Sequence, residues 1–194
     1  PVGAQPAPQY QVGLSYQLGA GVVRNFDQAR LWFGRAAQQG HARGQGGLAF
    51  LLMLGQGGPR DLKGAERLLR LAADQGGASA MANLAELTLD VYPDAPERGI
   101  DLLEKAVAAG AVNARYRLAR LLIEGRNVAA DPVRGLQLLE SAAAAENLYA
   151  MTYLSWLLAE GEVTRKDEKR ALALARRAAD AGLAEGMNEL GRLI

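Results

Sequence analysis

The hexamer Arg35-Ala36-Ala37-Gln38-Gln39-Gly40 returns along the chain as Leu71-Ala72-Ala73-Asp74-Gln75-Gly76, Lys105-Ala106-Val107-Ala108-Ala109-Gly110, Ser141-Ala142-Ala143-Ala144-Ala145-Glu146 and Arg177-Ala178-Ala179-Asp180-Ala181-Gly182. The spacings are 36, 34, 36 and 36 residues. A second series keeps the same register: Val12-Gly13, Leu48-Ala49, Leu84-Ala85, Leu118-Ala119, Leu154-Ser155 and Leu190-Gly191. A period of this length means that one supersecondary unit is repeated and that each unit buries its apolar face against the next. That excludes most globular architectures before any other property is weighed.

Each unit reads as two helices. In the first, a small residue lies four before the Val/Leu anchor (Gly44, Ala80, Ala114, Ala150, Gly186) and a larger one four after it (Tyr16, Leu52, Leu122, Leu158, Ile194). Positions i, i+4 and i+8 share one helix face. The second helix carries rows such as Ala65, Leu68, Leu69, Ala72 and Ala171, Leu174, Ala175, Ala178. Its start is marked by Asn25, Asp61, Asp131 and Asp167, short polar side chains suited to accept the first free N–H groups, with Pro132 following Asp131. Its end is marked by Gly40, Gly76, Gly110 and Gly182, where a left-handed residue is needed. In the third unit Val91-Tyr92-Pro93-Asp94-Ala95-Pro96 replaces the Gly-rich loop and is two residues shorter, which predicts a local change in helix angle.

Composition narrows function mainly by exclusion. The net charge is +1, from 22 basic and 21 acidic side chains, which supplies no field for nucleic acid. There is no Cys, which removes disulfides, thiolate metal sites and Cys nucleophiles together. The one histidine, His41, follows a helix-ending glycine and reads as a solvated or inter-repeat packing residue; one His builds neither a triad nor a multi-His metal centre. Gly44-Gln45-Gly46-Gly47 and Gly55-Gln56-Gly57-Gly58 look superficially like phosphate loops but lack the preceding strand and the Lys-Ser/Thr. Neither Gly-x-Ser-x-Gly nor Ser-x-x-Lys occurs. Met81, Met151 and Met187 share one slot and read as inter-repeat core filler. No apolar stretch reaches the roughly 20 residues of a membrane-spanning helix. The expectation is a chain that is not an enzyme and uses no metal or cofactor.

Of the 23 glycines, sixteen fall in slots shared between units. The remaining seven, Gly46 and Gly47 among them, gather mostly around the second unit and read as residual looseness there.

The first unit, with Val12-Gly13, Tyr16, Gly19, Gly21-Val22, Ala29, Trp32, Ala36-Ala37 and Gly40, resembles the Sel1-like repeat, a slightly longer relative of the tetratricopeptide repeat. Later units keep the spacing and lose the aromatic residues. The resemblance implies an all-α, right-handed α-solenoid (an α/α superhelix) over residues 9–194, of five repeats and a final half-repeat, after a Pro-rich tail or linker over residues 1–8. The last helix, ending in Leu193-Ile194, is expected to belong to a longer array. The resemblance also implies a non-catalytic adaptor for bacterial envelope, secretion, polarity or signalling complexes, periplasmic or envelope-associated rather than cytoplasmic.

In helical repeats of this kind the first helix of each pair lines the concave face. Positions two before and two, five or six after the anchor then point into the groove: Tyr10, Leu14, Gln17, Phe50, Met53, Glu86, Asp90, Tyr116, Arg120, Glu124, Trp156, Glu160 and Arg192. Aromatic anchors mixed with charges suit a protein or peptide partner. A polysaccharide or peptidoglycan ligand, with Tyr116 and Trp156 stacking on sugar rings, is the alternative. A hydrolase using Glu86 and Asp90, four apart on one helix face, is the remote third.

Overall fold

A computed structural model of the chain describes residues 6–194. The described residues form helices and connecting turns, with no strand. Each repeat is a helix pair: α1 (Pro6–Leu18) with α2 (Phe26–Gln38), α3 (Ala42–Leu54) with α4 (Leu62–Asp74), α5 (Ala78–Val91) with α6 (Pro96–Ala108), α7 (Val112–Glu124) with α8 (Pro132–Ala144), and α9 (Leu148–Glu160) with α10 (Glu168–Asp180). A last helix, α11 (Ala184–Leu193), starts the register again. The all-α class expected from the period is what the chain forms. The extended reading of the N-terminal stretch needs correction at Pro6, Ala7 and Pro8, which belong to the first turn of α1. Proline is tolerated there because first-turn N–H groups have no intrahelical acceptor. Residues 1–5 of that tail lie outside the described residues.

The chain divides after Ala109 into two compact units. In the first, each of α1 to α5 packs on its successor, and α1 touches α3 as α3 touches α5. In the second, each of α7 to α10 packs on its successor, and α9 touches α11. Contacts to the next helix and the next but one are what stacked helix pairs require.

Local chemistry sets the boundaries as the sequence implies. Asn25, Asp61, Asp131 and Asp167 are N-caps whose side chains accept from the N–H of Gln28, Gly64, Arg134 and Arg170 at 2.8–3.0 Å. The third repeat breaks the series: Ala95 caps α6 without a side-chain hydrogen bond, and Pro96 opens the helix. At the helix-ending slot Gly40, Gly76, Gly110 and Gly182 have φ of +77° to +87°. Glu146 holds that slot in the fourth repeat at φ +60°. A Cβ in that conformation costs about 1 kcal/mol.

Small residues let the helices of neighbouring pairs approach. A Cβ on Gly44 would lie 2.6 Å from Ala36 Cβ, and one on Gly186 at the equivalent slot 2.7 Å from Ala178 Cβ. The anchors Leu84, Leu118 and Leu154 are buried, while Val12, Leu48 and Leu190 are half-buried. The first unit centres on Phe33, Leu51 and Leu69, the second on Leu139, Met151 and Leu154. Of the methionine slot, Met151 is core and Met81 half-buried, but Met187 is 52% exposed. Met187 is therefore not part of a core formed by the described residues, none of whose helices covers that side of α11.

Candidate functional site

The expected groove residues separate into groups with different surroundings. In the first unit Tyr10 and Gln17 on α1 and Phe50 on α3 line one open cavity of about 800 Å³, with Arg43, Gly46, Gly47, Ser79 and Asn83. Leu14 and Met53 do not share it. Leu14 packs on the Phe33–Leu51 cluster and Met53 on the Ala49–Leu84 cluster, both half-buried, because their apolar side chains are drawn under the neighbouring helix. Glu86 is half-buried and Asp90 exposed on α5, and neither lines the cavity.

Beside the cavity, His41 caps α3: its Nδ1 accepts from Gly44 N–H at 3.1 Å. Its ring lies 5.3 Å from that of Tyr10. Tyr10 stacks at 5.7 Å on Phe33, which is fully buried. The histidine is thus a structural cap and packing residue.

In the second unit Tyr116, Arg120, Glu124 and Trp156 gather on one surface of α7 and α9. The Arg120 guanidinium lies 5.9 Å from the ring centres of both Tyr116 and Tyr153. It also donates through Nε to Glu124 at 3.2 Å and through Nη1 to the Tyr116 hydroxyl at 3.4 Å. Tyr116 stacks on Tyr149 with centres 6.0 Å apart, and Tyr153 lies nearly parallel to Trp156, 5° between planes, also at 6.0 Å. Tyr149, Tyr116, Arg120, Tyr153 and Trp156 therefore form one continuous chain of ring and cation contacts. Each contact is worth about 0.5–1.5 kcal/mol, enough to hold the side chains in one arrangement before anything binds. Trp156 stays 39% exposed and Tyr149 50% exposed.

Burial lowers the Arg120 pKa, but the hydrogen bond and charge of Tyr116 and Glu124 outweigh it, and the net shift is upward. Burial raises the Tyr153 pKa, and the Glu124 charge adds to it. The Arg120 cation stays charged and the Tyr153 phenol neutral over the physiological range.

Glu160 and Arg192 stand apart from the aromatic chain. Arg192 Nη1 meets Glu160 at 2.8 Å and its Nη2 meets Glu189 at 2.8 Å, joining α9 to α11. These two residues are thus already engaged with each other across α9 and α11.

The spacing rule misses Tyr149 and Tyr153. Both lie on the face of α9 that carries Trp156 and Glu160, since 149, 153, 156 and 160 step by four, three and four. That row is readable in the sequence, but positions counted only from the anchor leave it out. The rule misses Arg43 as well, although 43, 46/47 and 50 form the same kind of row on α3. Among the described residues no three His, Cys, Asp or Glu side chains converge as a metal site would need, and no helix is long and apolar enough to cross a membrane.

Comparison with known proteins supplies the family context. The Sel1 repeat model matches residues 9–41, 42–77, 78–110, 112–147 and 148–183. The crystal structure of a Sel1 repeat protein from Oxalobacter formigenes is 25% identical with a TM-score of 0.80, over 97% of this chain and 78% of that one. A protective antigen present in uropathogenic Escherichia coli strains is similar in fold, 24% identical with a TM-score of 0.71, over 97% of this chain and 41% of that one. An uncharacterized protein of Neisseria meningitidis serogroup B is 30% identical over 121 residues, 62% of this chain. The match spans 25% of that curated relative's length.

Proposed function

We propose, since the chain belongs to the Sel1 repeat family, that it is a non-catalytic adaptor whose second unit docks a segment of a partner protein on the aromatic face of α7 and α9. Proteins of this family generally serve as scaffolds for protein–protein interaction, and the repeat fold is typically non-catalytic. The observation that carries the reading is the chain of Tyr149, Tyr116, Arg120, Tyr153 and Trp156, exposed at Tyr149 and Trp156 and half-buried between them. Tyr, Trp and Arg dominate binding energy at protein interfaces: the aromatic residues bury large area with little side-chain entropy to lose, and Arg brings a planar fork of donors. Here the rings are already stacked and the guanidinium already held, so docking has less to order. Tyr116 and Tyr153 pack on the core around Met151 and Leu154, whereas Tyr149 and Trp156 are not among the side chains packed on it.

The test is affinity capture of crosslinked partners by the full chain, wild type against Tyr149→Ala/Trp156→Ala. The proposal expects a defined protein species to be lost with the double variant while circular dichroism stays unchanged. Retention of every captured species would overturn it. The nearly parallel Tyr153–Trp156 pair favours one second reading, a sugar ring stacked on that platform. Stacking on a neutral glycan survives high salt and Arg120→Glu, whereas a charged protein segment is weakened by both.

A further inference from the structure

We propose that the cavity on the first unit is a second docking site, shaped and charged for an acidic segment of a partner protein. It rests on the scaffold reading only for the kind of ligand, a polypeptide, and involves none of the residues that carry that reading.

The cavity exists because of two glycines. Counted from the anchor leucine, Gly46 and Gly47 on α3 hold the slots that Tyr116 and Arg117 hold on α7 and Thr152 and Tyr153 on α9. A Cβ on Gly46 would meet nothing within 4 Å. Tyr10 and Phe50 stand beside this opening, Phe50 39% exposed, and supply apolar contact area. Gln17, Ser79 and Asn83 line it with side chains that make no hydrogen bond to any described residue. They are donors and acceptors left for a peptide backbone.

The charge is one-sided. Arg43 is the sole charged one among the described residues that line the cavity, and no Asp or Glu joins it. Among the described residues Arg43 makes no ion pair and no hydrogen bond. Arg120, Arg170, Arg177 and Arg192 are engaged by carboxylates, and Arg67, Arg98, Arg165 and Arg176, which make no ion pair or side-chain hydrogen bond either, do not line this cavity. A free guanidinium at the mouth of an otherwise uncharged cavity is complementary to a carboxylate, which it can hold in a bidentate pair. Arg43 and Phe50 are seven residues apart on one helix face, about 10 Å at 1.5 Å rise per residue. An extended segment advances about 3.3 Å per residue, so a carboxylate and an apolar side chain three or four residues apart would reach both.

The experiment uses the full chain and two fluorescein-labelled octapeptide pools read by anisotropy. One fixes Glu at its third position and Phe at its sixth with Ala, Ser and Gly mixed elsewhere; the other replaces that Glu by Lys. The expected result is tighter binding of the Glu pool by about tenfold, the scale of one charge-assisted pair. Arg43→Glu should invert the preference, and Gly46→Leu, which fills the opening, should abolish binding of both pools. Arg43 is exposed, so its variant folds; circular dichroism verifies this. No preference for Glu, or a preference that survives Arg43→Glu, overturns the proposal. So does loss of the Glu pool by Tyr149→Ala/Trp156→Ala, which would place the peptide on the second unit. Failure here leaves partner capture by the second unit intact, because Arg43→Glu does not touch that face.

Discussion

At one pair of repeat positions α3 carries Gly46 and Gly47 where α9 carries Thr152 and Tyr153, and the surface above each helix differs accordingly. On α3 the backbone is bare, the Phe33 ring lies beneath, and Arg43 stands unpaired at the edge of an open cavity. On α9 Tyr153 fills the slot, reaches Arg120 and Trp156, and helps close a rigid aromatic face. The reason lies one layer down. The second-helix position of Phe33 holds Leu69, Leu103 and Leu139 in the next three repeats, all nearly or fully buried. The larger ring fits only because Gly13 and Gly47 yield space: a Cβ on them would lie 2.5 Å and 3.1 Å from it. A periodic fold can therefore vary its binding surface by exchanging volume between core and face while keeping its register.

The most severe break of the contrast is Phe33→Ala. It removes the ring on which Tyr10, Gly13 and Gly47 rest, and should lower stability by about 3 to 5 kcal/mol in chemical denaturation. Phe33→Leu combined with Gly47→Ala, which moves this repeat toward its neighbours, should recover part of the loss seen for Phe33→Leu alone.

On the other surface, Tyr153→Ala breaks its contacts to Arg120 and Trp156 together. The expected loss is about 1 to 2 kcal/mol, since aromatic and cation–π pairs each contribute about 0.5 to 1.5. Denaturant midpoints measure it, and loss of the Arg120 restraint should appear as broadened side-chain resonances in NMR.

Gly46→Ala sharpens the contrast more gently. Its Cβ enters open space within a helix, so stability should rise by about 0.5 to 1 kcal/mol. Gly47→Ala should gain less or nothing, because the new Cβ meets Phe33 at 3.1 Å. Equal gains at both positions would deny that Phe33 occupies the space under Gly47.

The smallest effect is in alkaline titration. Burial and the Glu124 charge raise the Tyr153 pKa, so its neutral form is favoured by folding. This contribution is fully present below the unfolded tyrosine pKa of about 10 and is lost as pH rises through the higher folded value. Ultraviolet titration should show one phenol ionising late, and Glu124→Gln should bring it earlier.

Much of the fold is legible in the chain itself. The helix pairs follow from the recurrence of Ala36-Ala37 and its counterparts, and the caps from Asp61, Asp131 and Asp167, because local hydrogen bonding decides both. The shared face of Tyr116, Arg120 and Trp156 follows from repeat register. Leu14 and Met53 do not line the cavity, because position relative to the anchor does not say how far a neighbouring helix overlaps an apolar side chain. Gly47 reads as looseness in the sequence because its purpose depends on Phe33, set beneath it only by packing, and Gly46 because the open space above it is not visible in the chain itself. Arg43 is not distinguished by residue type, since what sets it apart is its unpaired place at the cavity, which only the packing of α1, α3 and α5 creates.

The central claim is that the two units offer different docking surfaces on one repeat register. The most direct measurement is a peptide array probed with wild type, Arg43→Glu and Tyr149→Ala/Trp156→Ala. The account predicts that the two variants lose different, non-overlapping sets of peptides, with acidic sequences lost by Arg43→Glu. Loss of the same set by both, or no loss by either, would contradict it.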